Sequence, residues 1–225
     1  MFCLGRKPAQ FDPKIPKFRE LQLKVDLLPA ISSEWQQVQY WPLLQNDVLG
    51  DCTIAGVGHV IEYWNFVGKL SLPTMTDLEA EVQYQILGQY IPDDPSTDNG
   101  CVELDVLNYF KTHGIMAGSQ IVKLNKFLSV PATDLHQIKS AIHHLGNCYL
   151  GYNLPDNAAS QTNLWDIDPT SQIEGGHAIN AVGYDDNQSL LYIVSWGTIV
   201  PVTYDFHMKY CEEAWSLYSD AWVNR

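Results

Sequence analysis

Apolar residues recur at helical spacing through the first part of the chain and at strand spacing after Gly146. Ile54, Val57, Gly58, Ile61 and Trp64 mark one helix that ends near Gly68, with Asp51 placed to cap its first turn through its carboxylate. Thr76-Asp77-Leu78-Glu79 has the pattern of a capping box, and Leu78, Val82 and Ile86 carry that helix to Gly88. A third helix is predicted over about 102–112, and a fourth after Thr133-Asp134, with Leu135, Ile138, Ile142 and Leu145 on one face. Strands are expected over 148–152, 178–184, 190–196 and 200–204, with Asp185-Asp186-Asn187 as a hairpin turn. Phe206 to Tyr218 reads as a closing amphipathic helix. Residues 91–100 and 155–175 read as loops, and a loop as long as the second is often functional. The expected class is α+β: a proline- and charge-rich arm over 1–44 that wraps the domain, a helical part over 45–130 and a mainly β part over 131–225.

Charge narrows the possible partners. The chain carries a formal net charge of −13 and its hydrophobic content is 46%, enough for a substantial core. Nucleic acid and anionic membranes both need clustered Lys and Arg, and the 13 basic residues here are scattered apart from Arg6, Lys7, Lys14, Lys17 and Arg19. No stretch approaches the roughly 20 apolar residues of a membrane span. Neither nucleic acid nor membrane is therefore expected as a partner. The start does not read as a secretory signal, and the five cysteines are an odd number, so reduced thiols in a cytoplasm are expected. No pair has C-x-x-C spacing, which argues against a zinc knuckle.

The candidate chemistry lies in two short segments. Gly50-Asp51-Cys52 opens the first helix, where backbone N–H groups favour a thiolate. Gly175-Gly176-His177-Ala178 opens a strand, where an imidazole beside that thiol would hold its proton. Cys52 and His177 are the expected nucleophile and base.

In this order the segments resemble the papain-like cysteine peptidases. The resemblance rests on Gly50-x-Cys52, on Asn99-Gly100-Cys101 leading into Leu104 to Phe110, and on Cys148-Tyr149-Leu150-Gly151-Tyr152 after the Ile138–Ile142 helix. Gly176-His177-Ala178 through Val182-Gly183-Tyr184 and Ser195-Trp196-Gly197 complete it. It covers about residues 45–210, and the same order resembles the bacterial peptidases that trim double-glycine leaders. The resemblance implies two lobes with a site in the cleft between them, a peptide or protein substrate, and no metal or organic cofactor.

Two departures stand out. Where the family places a glutamine that donates to the oxyanion, this chain has Asn46, with Gln45 one step earlier. Where the family places an asparagine that orients the histidine, this chain has Val194, which leaves Ser195, a main-chain carbonyl or water for that task. Cys101 resembles a family cysteine that is disulfide-bonded, but Leu49 stands in the partner region, so a free thiol is expected. His59, His143, His144 and Trp196 read as structural residues, Trp196 also as a shield for the His177 contact. The residues before the site are few for an inhibitory pro-region, which favours an enzyme over a zymogen. The expected function is a cysteine-nucleophile hydrolase that cleaves peptide or isopeptide bonds through a thioester. Deamidation or transglutamination of a protein glutamine, or an inactive binding module of this fold, remain as alternatives.

Overall fold

The computed structural model describes residues 3–21, 27–161 and 163–225. Parts of the expected arm (1–2, 22–26) and one position of the expected 155–175 loop lie outside them. In chain order the elements are β1 (Ile31–Ser32), α1 (Cys52–Phe66), α2 (Asp77–Gly88), α3 (Glu103–Thr112), β2 (Ile115–Ala117), β3 (Gln120–Val122) and β4 (Lys126–Val130). They continue as α4 (Leu135–Leu145), β5 (Cys148–Pro155), β6 (Ile173–Asp185), β7 (Leu190–Ser195), β8 (Thr198–Thr203), α5 (Tyr204–Tyr210), β9 (Cys211–Tyr218) and α6 (Asp220–Val223). The expected α+β class holds: three helices come first, then an antiparallel sheet in the order β4-β9-β5-β6-β7-β8, with β1 on β6. None of the helices among the described residues is long and apolar enough to cross a membrane.

α1 is the structural centre. Every residue from Cys52 to Trp64 is buried, so only the end of the helix, at Phe66, meets solvent. It docks on the sheet through Gly56, where a Cβ would stand 2.5 Å from the Tyr149 ring. The Tyr149 hydroxyl donates to the Thr53 carbonyl at 2.9 Å, and Asn180 Nδ2 donates to the Gly56 carbonyl. β5 and β6 therefore hold α1 by its first two turns. On the opposite face of the sheet, α4 buries Ile138, Ala141, Ile142 and Leu145, which form a second apolar cluster with Leu150, Ile179 and Phe206.

Two of the three expected caps form. Thr76 and Glu79 form the reciprocal box, and Asp134 accepts from Gln137 N. The closing helix does not form as expected. Only Tyr204–Tyr210 is helical, and Cys211–Tyr218 is a strand inserted between β4 and β5. A strand covered on both faces shows a continuous apolar run instead of alternation, so Ala214-Trp215-Ser216-Leu217 gives no period-two signal. The β2–β3 hairpin and β4 also carry too little pattern to be seen in the sequence.

Truncating Leu217, fully buried in β9, should cost about 2–5 kcal/mol as Leu217→Ala. Met208→Ala, on exposed α5 surface, should stay within about 0.5 kcal/mol. Urea unfolding of the two variants checks both values.

Candidate active site

Cys52 is the first residue of α1, so its thiol sits where the helix presents unsatisfied N–H groups. Its Sγ accepts a hydrogen bond from Ala178 N of β6 at 3.4 Å. His177, one residue earlier, is almost fully buried, and its ring stacks on Trp196 at 4.4 Å between centroids. Its Nε2 is 2.9 Å from Ser195 Oγ, while Nδ1 has no hydrogen-bond partner among the described residues. The strand register explains why Ser195 takes this place. Val194 pairs with Asn180, whose side chain faces α1, and successive strand residues face opposite ways. Ser195 therefore turns to the other face, where the imidazole lies, and no Asn side chain among the described residues contacts the His177 ring. Trp196 holds φ +46° and Gly197 +69°, so the chain turns sharply just past Ser195.

The structure thus brings Ser195 to His177 and sets the N–H of the next residue, Ala178, on the Cys52 thiol. Gln45 does not join them. It donates to the Asp77 carbonyl and to Glu81 Oε2 at 2.8 Å, which ties it to α2, because its left-handed φ of +65° turns it away from the cleft. Asn46 is closer, in the buried loop leading to Cys52, with its Nδ2 donating to the Leu49 carbonyl at 3.1 Å. Its amide also lies beside the Asp51 carboxylate. Asp51 occupies the cap position but does not cap: its side chain makes no bond to the first turn and is wholly buried. Burial holds it well above the usual carboxylate range. His59 Nε2 meets the Pro42 carbonyl at 2.8 Å, as a structural histidine should. All five cysteines are unpaired, including Cys101. Among the described residues no cluster of His, Cys, Asp and Glu could hold a metal.

The largest departure from expectation is that residues 3–7 fill the cleft. Gly5 N–H points to Cys52 Sγ and Arg6 N donates to the Gly176 carbonyl at 2.9 Å. Lys7 N donates to the Cys101 carbonyl and Cys101 N to the Gly5 carbonyl, each at 2.8 Å. The segment threads between two chain edges as a short added strand. Backbone meets backbone so closely that only glycine fits: a Cβ at Gly5 would lie 1.6 Å from the Gly50 carbonyl oxygen, and one at Gly176 would lie 2.1 Å from that of Arg6. The short arm does more than wrap the domain, and it covers the thiol completely.

Coverage sets the electrostatics. Burial pushes the Cys52 thiol up to about 12, against the lowering that a helix start and an imidazolium would produce. Burial likewise pulls His177 down to about 3. In this closed arrangement the pair is thiol and neutral imidazole. Sequence reasoning expected an arm but missed its seat in the cleft, the Ala178 N–H and the acidic residues around Arg6. The acidic pair Glu212-Glu213 in an otherwise apolar strand was the available signal.

No family model matches this chain, and no curated protein sequence matches it. The fold does match solved structures and is papain-like. Xylellain, a cysteine protease from Xylella fastidiosa, superposes with a TM-score of 0.75 at 15% identity over 97% of this chain and 96% of its own. Digestive procathepsin L2 from Tenebrio molitor gives 0.71 at 16% identity, over 97% and 78%. The Carica candamarcensis cysteine protease CMS1MS2, solved with E-64, gives 0.60 at 13%, over 85% and 99%.

Because His177, His59 and His207 are driven down by burial to about 3, 4 and 4, all three should stay neutral from pH 8 to pH 5. Imidazole nitrogen NMR of the intact chain reads this directly. A His177 imidazolium signal at pH 6 would show that the ion pair already exists under the arm.

Proposed function

We propose that this chain is a cysteine peptidase that its own residues 3–7 hold closed. The observation that carries the reading is the seat of Cys52 Sγ: at the start of α1, hydrogen-bonded to the N–H of Ala178, the residue that follows a His177 whose Nε2 is fixed by Ser195. With Nε2 engaged, Nδ1 is the nitrogen left for the thiol. Once the arm leaves, water reaches both groups, the desolvation that keeps them neutral disappears, and proton transfer from Cys52 to His177 becomes favourable.

In the reaction, the Cys52 thiolate adds to a peptide or isopeptide carbonyl carbon. Collapse of the tetrahedral intermediate breaks the C–N bond, and the His177 imidazolium gives its proton to the departing amine. Water, deprotonated by His177, then adds to the thioester, releasing the acid and returning the thiol. The Cys52 backbone N–H, left without an intrahelical acceptor, is the first oxyanion donor, and Asn46 is the candidate second, each worth about 3 kcal/mol in comparable sites. Stacked Trp196 keeps water from the His177–Ser195 contact. Five unpaired thiols support a reducing compartment such as a cytoplasm.

The test uses the full chain. Gly5→Val cannot seat in the cleft, so it should raise chloroacetamide labelling of Cys52 at pH 7 by at least about tenfold over the parent protein. That variant should also release new amino termini from a denatured protein substrate. Adding Cys52→Ala should remove both. Release of ammonia without new termini would replace hydrolysis by deamidation, and labelling no faster than a free thiol would leave an inactive module. Ser195→Ala in the opened chain should lower kcat about tenfold or more, roughly 1.4 kcal/mol, with KM little changed, because it loosens the base without touching substrate.

A further inference from the structure

Arg6 sits in a pocket that holds more acid than the arm requires. Its side chain is 1% exposed, with Nη1 2.8 Å from Glu213 Oε1 and Nη2 2.7 Å from both Glu212 Oε2 and Asn153 Oδ1. The Tyr152 carbonyl accepts from Nη2 at 3.3 Å. One carboxylate would balance this cation, yet a third carboxyl, Glu103 of α3, faces the same space. Glu103 is fully buried, and neither of its oxygens has a hydrogen-bond partner among the described residues. Gly151 of β5 leaves the room: a Cβ there would meet Arg6 Cδ at 2.7 Å, Glu213 Cγ at 2.7 Å and Glu103 Oε1 at 2.8 Å.

The pocket belongs to the body of the protein. Its carboxyls come from α3 and β9, and Trp215 Nε1 holds Glu213 Oε2 at 3.1 Å independently of the arm. Glu212 and Glu213 also border a cavity of about 380 Å³ that Ala9, Gln10 and Phe11 help to line, so leaving of the arm opens the acidic wall. The pocket lies one residue from the thiol, since Gly5 covers Cys52 while Arg6 bonds to Gly176, the residue before His177.

We infer that this pocket is a substrate subsite for an arginine side chain next to the bond that Cys52 attacks, and that Arg6 occupies it as an internal stand-in. The inference rests on the peptidase reading. Arginine is selected over lysine because two separate nitrogens engage two separate carboxylates, a span that one ammonium does not cover.

The test uses the full-length chain with Gly5→Val and Arg6→Ala, which empties the cleft. Acetyl-arginine amide should bind this variant at least tenfold more tightly by calorimetry than acetyl-citrulline amide, its uncharged isostere. Chloroacetyl-arginine amide should label Cys52 at least tenfold faster than the citrulline reagent. Adding Glu213→Gln, close in shape and hence safe for folding, should bring both ratios near one. Equal binding of the two amides overturns the pocket. Tighter arginine binding without faster labelling overturns its place as a subsite. Plain chloroacetamide is the control: if it fails to label Cys52 faster than a free thiol, the peptidase reading fails, and with it the subsite, whereas the calorimetry still reports on the pocket's charge selectivity.

Discussion

Everything at the site depends on how the first two turns of α1 press against β5 and β6. A helix buried on all sides cannot choose its rotation by amphipathicity, so point contacts must fix it. The Tyr149 hydroxyl on the Thr53 carbonyl, Asn180 on the Gly56 carbonyl and the Tyr149 ring against Gly56 do so. These three contacts all fall within five residues of Cys52. They aim the thiol at Ala178 N. A rotation of α1 by one residue would carry Cys52 about 100° away, on the 3.6-residue turn of the helix.

Electrostatically the site is held at rest. A thiol and an imidazole become an ion pair when their mutual attraction exceeds the cost of removing two charges from water. Under the arm the cost dominates and both groups are neutral. The neighbouring Asp51 adds to that cost, because a carboxylate there opposes a thiolate. The same physics that silences the site leaves it ready to ionise when solvent enters.

Much of this was legible in the sequence where a residue's own chemistry decides its role. The helix starts at Thr76 and Asp134, the α1 run and the place of Ser195 at His177 follow from local pattern or from motif order. What was not legible depends on distant partners. β9 is a strand because β4 and β5 supply its hydrogen bonds, which no property of Cys211–Tyr218 announces. Gln45 leaves the site because of a backbone angle, and Asp51 fails to cap because its neighbours close over it. The arm's place in the cleft was hidden for the same reason: Gly5 and Arg6 look like ordinary loop residues until Gly50, Gly100 and Gly176 are seen to make room for them.

The arm's seat is made chiefly of main chain, with one buried side chain at Arg6. Because that segment is covalently joined to the protein it covers, its local concentration is fixed by the linking chain, and is on the order of millimolar for a short flexible tether. Diluting the protein cannot dislodge it. A break close behind the seat would change this, because the severed piece would then exchange with bulk solution. On the proposed reading, control of the cleft resides in the continuity of the chain.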